Sequence, residues 1–118
     1  MQTDRFNVSK PEPEFINPRC FGRDFATWLK GRLEERTLSP SDPIQEDFGW
    51  VLRVPYKHHT FTVSIGVMDD SIGRTPAEWR VGVSSEGLSS HAKALTELAG
   101  ILEGSLTSDP HIAFLGPA

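Results

Sequence analysis

Two stretches of strict alternation constrain this chain most. In 60–68, Phe61, Val63, Ile65 and Val67 share one side, with Thr60, Thr62, Ser64 and Gly66 opposite. In 79–84, Trp79, Val81 and Val83 alternate with Arg80, Gly82 and Ser84. A period of two over such lengths marks half-buried antiparallel strands. The segment 48–55 precedes them and places Phe48, Trp50, Leu52 and Val54 on one side. Tyr56-Lys57-His58-His59 separates the first two segments and reads as a four-residue hairpin loop. If Pro55 faces Thr60, then Val54 meets Phe61, Leu52 meets Val63 and Trp50 meets Ile65. A slip of one residue turns all of these apolar groups to water, so the pattern selects this register.

Two helical stripes accompany the strands. Phe21, Phe25, Trp28, Leu29 and Leu33 recur with a period near 3.6 and predict a helix over 22–36. Ser39-Pro40-Ser41-Asp42-Pro43 ends it in a loop. Leu88, Ala92, Leu95, Leu98, Ala99 and Leu102 predict a second helix over 89–104, with Ser89 or Ser90 as N-cap and Gly104 as stop. His111–Leu115 has the apolar content of an edge strand or of a loosely packed tail. One apolar sheet face and two helices with one apolar stripe each imply a two-layer α+β sandwich. The expected architecture is an antiparallel meander of three or four strands with both helices on one face. The opposite face then holds Gly49, Val51, Arg53, Thr62, Ser64, Gly66, Arg80, Gly82 and Ser84.

At 118 residues the chain fits one domain. Pro11, Pro13 and Pro18 make residues 1–20 an extended arm, with a short strand near Arg5–Ser9 and with Phe6, Val8, Phe15 and Ile16 available to dock it. Residues 21–118 form the single α+β domain.

Charge narrows the function classes. Twelve basic and sixteen acidic residues give a net charge of −4. Residues 1–36 hold seven basic and six acidic groups, whereas 37–118 hold five and ten, so the acidity lies in the body. Nucleic-acid binding rests on Lys and Arg at phosphates, and this balance argues against it. No apolar run approaches the roughly 20 residues a membrane helix needs. No leader pattern opens the chain, so cytoplasmic residence is the expectation. A lone cysteine, Cys20, excludes an internal disulfide framework. It reads as a small apolar filler, with a reactive thiol near a helix start as the sharper alternative.

Catalytic and metal patterns are sparse. His58 and His59 are adjacent and point apart, and His91 and His111 lie far along the chain, which is a poor zinc set. Ser84, Ser85, Ser89, Ser90 and His91 contain no Gly-x-Ser-x-Gly elbow. Trp28, Trp50 and Trp79 sit on apolar stripes and read as core, with Trp50 or Trp79 near enough to a sheet end to line a shallow pocket. Asp47, Asp69 and Asp70 fall at one end of the sheet, where turns favour Asp.

These features point to a non-enzymatic acidic protein-binding module, of the general kind that includes adaptors and toxin-neutralising immunity proteins. The expected contacts are Arg53, Thr62, Ser64 and Arg80 on the open face, or Asp47, Asp69 and Asp70 at the strand ends. The expected partner is a protein, basic or a second copy forming a homodimer, with no cofactor, nucleic acid or membrane. The alternative is a small enzyme or metal or ligand binder with its acidic site at that sheet end, between those aspartates and Trp50 or Trp79. A purely structural subunit of a larger assembly is a third reading.

Overall fold

The computed structural model describes residues 1–10, 12, 15, 20–74, 76–85, 92–109 and 112–113. At its centre β3 (Gly49–Tyr56) and β4 (His59–Val67) pair in the register the alternation selects: Pro55 opposite Thr60, Val54 opposite Phe61, Leu52 opposite Val63 and Trp50 opposite Ile65. The connection is tighter than a four-residue loop. Tyr56 pairs with His59, which leaves a two-residue turn at Lys57 and His58. Both have positive φ, 47° and 67°. That is the signature of a type I′ turn, whose twist matches that of the flanking strands.

β5 (Ala77–Ser85) continues the antiparallel sheet from β4, with Val63 opposite Val83 and Ile65 opposite Val81. Three short strands complete it: β1 (Gln2–Thr3), β2 (Ile44–Glu46) and β6 (Ile112–Ala113). The order is β2–β3–β4–β5–β1–β6, more strands than the three or four expected. β1 forms at Gln2–Thr3 rather than near Arg5–Ser9. It reaches β5 across the whole chain, with Gln2 opposite Glu78 and Thr3 opposite Ala77. The amide of Trp79 donates to the carbonyl of Met1 at 2.7 Å. β2 directly follows the Ser39–Pro43 loop, where no strand was expected, and pairs with β3, Ile44 opposite Val51 and Glu46 opposite Gly49.

Both helices cover the same sheet face, which makes the two-layer α+β sandwich. α1 (Arg23–Glu34) buries Phe25, Ala26, Leu29 and Leu33. α2 (Ala92–Thr107) buries Leu98, Leu102 and Leu106, whereas Ala92 is exposed and Leu95 half-buried. Residues 89–91, including the expected N-cap, lie outside the described residues. Gly104 does not stop α2. It lies inside the helix, where an added Cβ would come within 3.3 Å of the Arg36 guanidinium.

These helical residues meet Trp50, Leu52, Val54, Phe61, Val63, Ile65, Val67 and Trp79 in one core. Phe6 and Val8 join it from the N-terminal segment. Phe6 stacks on Phe25 with ring centroids 4.2 Å apart and meets Trp79 edge-on at 6.1 Å. Such offset and edge contacts favour a fixed geometry beyond the area they bury. Trp50 and Trp79 are buried in this cluster rather than lining a pocket.

Candidate functional site

Directly opposed residues of an antiparallel pair point to the same side of the sheet. The outer face therefore reads in rows across the strands. One row runs Glu46, Gly49, Gly66, Arg80, from the pairs Glu46–Gly49 and Gly66–Arg80 and the close approach of Gly49 to Gly66. The next runs Ile44, Val51, Ser64, Gly82. A third runs Arg53, Thr62, Ser84. Arg53, Arg80 and Ser84 are exposed, while Thr62 and Ser64 are half-buried. The Ser64 hydroxyl donates to the carbonyl of Gly82 at 3.5 Å. Among the nine residues expected on this side, Gly49 and Val51 are buried rather than open.

Phe48 departs from its expected place. It sits in the turn between β2 and β3 and is 54% exposed. A Cβ on Gly66 would lie 3.2 Å from the Phe48 carbonyl and 3.7 Å from its ring, so Phe48 leans over Gly66 on the outer face. Gly49 causes the reversal. Its φ is 154°, and a Cβ there would stand 2.3 Å from the carbonyl oxygen of Ile65. Only glycine lets β3 approach β4 this closely, and the resulting bend breaks the period of two just before Trp50. Cys20 supports the turn from beneath. It is fully buried, and its thiol donates to the Glu46 carbonyl at 3.1 Å and lies 3.4 Å from that of Gly49. Trp50 ties in the same segment by donating its indole N–H to the Cys20 carbonyl at 2.9 Å. Among the described residues the outer face thus carries two large exposed apolar groups, Phe48 and Ile44, the latter 39% exposed.

The edge beside them is held by its own loop. The Ser41 amide donates to the Arg53 carbonyl at 2.8 Å, and the Arg53 amide donates to the Ser41 hydroxyl at 2.9 Å. Asp47 lies in the β2–β3 turn, and Asp69 and Asp70 open the 3-10 turn Asp69–Ser71 after β4. All three are exposed at the end of the sheet that holds Gly66 and Arg80. Among the described residues no group of three or more His, Cys, Asp or Glu side chains is placed to hold a metal ion, and no helix is long and apolar enough to cross a membrane.

Two further arrangements were not visible in the sequence. On the outer side of α1, Glu12, Arg23, Asp24, Thr27 and Trp28 line an open cleft of about 460 Å³. Asp24 accepts the Asn7 amide at 2.8 Å, which anchors the N-terminal segment to the cleft wall. The half-buried Trp28 ring meets the Arg5 and Arg32 guanidiniums at 5.6 and 5.4 Å. Asp109, only 3% exposed, lies 3.3 Å from Arg5 and 4.0 Å from Arg32. This set joins the N-terminal segment, α1 and the end of α2.

The second arrangement clasps the β3–β4 hairpin to α2. The partly exposed Glu97 carboxylate accepts the Tyr56 hydroxyl at 2.9 Å and the Lys57 ammonium on the same oxygen. The Lys57 hydrogen bond, seconded by that of Tyr56, holds the Glu97 carboxyl below its ordinary value of 4.5. The Glu97 bond likewise raises Lys57 above 10.5 and Tyr56 above 10.0. For a depressed carboxyl, the stabilisation is complete above the ordinary value and is lost as pH falls through the depressed one. For the two raised groups, it is complete below their ordinary values and fades as pH rises past the raised ones. The clasp is therefore expected to hold across the neutral range. Titrating the Glu97 carboxyl carbon by NMR should give a midpoint below 4.5, which Lys57→Met combined with Tyr56→Phe moves upward. An equal midpoint in both proteins contradicts the clasp.

In comparisons with known proteins the chain matches no family model, no curated protein and no solved structure.

Proposed function

We propose that this protein is a non-enzymatic protein-binding module that docks through the outer face of its sheet. One observation carries the reading: among the described residues, Phe48 and Ile44 stand exposed on a sheet face whose rows otherwise hold small or polar groups and the buried Val51. Gly49, which follows it, holds Phe48 there, against the alternation of β3. Aromatic and arginine side chains are enriched where proteins meet, and anchors of this kind dominate binding energy when a partner excludes water around them. Arg53 and Arg80 flank the two apolar groups, Thr62 and Ser64 offer hydroxyls between them, and Asp47, Asp69 and Asp70 form an acidic rim at one end.

Site-specific photo-crosslinking in extract of cells that make the protein tests the reading. A benzophenone side chain in place of Phe48 is expected to yield a discrete protein adduct, and one in place of the exposed Thr107 on α2 is expected to yield none. Phe48→Asp should abolish binding measured from the adduct partner. It should change unfolding stability by less than about 0.5 kcal/mol, as expected for an exposed site. No adduct at position 48, or equal labelling at both positions, overturns the reading.

A further inference from the structure

We propose that the partner of the outer face is a second copy of this chain, related by a two-fold axis that runs along the strands between β3 and β4. The inference rests on the reading of that face as a docking surface and adds the identity and geometry of its occupant. It comes from the order of residues within the rows.

A two-fold along the strands keeps each row at its own level and exchanges β2 with β5 and β3 with β4. In the first row this sets Glu46 against the partner's Arg80, and Arg80 against the partner's Glu46. An isologous interface repeats every contact in this reciprocal way, so a surface suits it only if it complements itself. The row does so in charge, with an acid at one end and a guanidinium at the other. Between them lie two glycines, Gly49 and Gly66.

The second row complements itself in shape. Ile44 faces the partner's Gly82, where no side chain stands. Phe48, leaning over Gly66, comes to lie against the partner's Gly49. In the third row Arg53 faces the partner's Thr62. The two exposed apolar groups of each copy, Ile44 and Phe48, thus meet glycine positions of the other.

An axis across the strands has no such match, because it leaves β2 over β2 and sets Phe48 toward the hairpin end of the other copy. The strand-parallel axis also keeps the two sheets' strands aligned, as face-to-face sheet packing prefers, at a spacing of about 10 Å.

The test is sedimentation equilibrium of the purified full chain from about 1 µM to about 1 mM, a range that covers weak as well as tight pairing. Wild type is expected to show a monomer–dimer equilibrium. Arg80→Glu and Glu46→Arg, both at exposed sites, are each expected to weaken it about tenfold or more, since each creates two like-charge contacts. The double variant should return it to within about threefold of wild type, because the pairs are restored with reversed sign. Circular dichroism checks that all four proteins are folded.

A wild type that stays monomeric throughout overturns the self-pairing, as does a dimer indifferent to the single reversals or not rescued by the double one. A crosslink from position 48 to a different protein, with wild type monomeric, overturns the self-pairing while sustaining the docking face. Absence of any adduct at position 48 removes both.

Discussion

Gly49→Ala is expected to lower the unfolding free energy by at least about 3 kcal/mol, the combined scale of a strained backbone and a steric overlap. The overlap is with backbone: a methyl at this position would lie 2.3 Å from the Ile65 carbonyl oxygen. No rotamer change relieves that, so β3 and β4 must part at the row that holds the core pair Trp50–Ile65. Gly73→Ala is the control. Gly73 also has a positive φ, 81°, but an added Cβ there meets nothing within 4 Å. It should lose only about 1 kcal/mol, the conformational cost alone. Urea unfolding of the two variants separates these contributions. Equal losses would mean that the close approach of Gly49 to β4 is not a feature of the fold.

The second large effect is expected at Phe6. Removing a buried phenylalanine side chain typically costs about 3–5 kcal/mol. Phe6 is 7% exposed and touches Phe25, Trp28 and Trp79. Phe6→Ala should therefore lower the thermal midpoint by about 10–20 °C. Phe6→Leu, which keeps most of the apolar volume, should lose much less. Differential scanning calorimetry gives both. A shift of a few degrees at most for Phe6→Ala would mean that the N-terminal segment lies on the domain rather than within its core.

The parts of the fold that were legible in the sequence are those governed by short-range periodicity. The register of β3 on β4 followed from three apolar pairs, because a slip of one residue puts Leu52 and Val63 in water. The α1 stripe was equally plain, since Phe25, Leu29 and Leu33 recur every four residues and all three are fully buried. The short strands were not legible. β1 and β6 have two residues each and β2 has three, too few for a period to emerge. Their partners are chosen by tertiary contact, Thr3 with Ala77 for instance, and nothing local in either segment names the other.

The candidate face was half legible. Arg53, Thr62, Ser64 and Arg80 point outward as their strands alternate, and Asp47 and Asp69 share one end because β3 and β4 are adjacent and antiparallel. The apolar members were missed for a physical reason. Phe48 extends the alternation of Trp50, Leu52 and Val54 on paper, yet Gly49 between them adopts a backbone conformation open to glycine alone and turns the ring outward. The glycine was the available signal, since an isolated glycine at a strand start marks a bend or a close backbone approach. Ile44 was hidden by its place just after the Ser39–Pro43 loop, in a stretch too short for a period to show. The hairpin turn was misjudged similarly: Lys57 and His58 carry none of the Asn-Gly character that usually announces a type I′ pair.

The side on which Phe48 stands decides whether the outer face has an aromatic anchor. A nuclear Overhauser spectrum of the full chain reads it directly. Cross-peaks between the Phe48 ring protons and the Gly66 α-protons are expected, with none to the side chains of Leu52 or Phe25. Cross-peaks from the Phe48 ring to those core residues, without contact to Gly66, would place it inside and contradict the account.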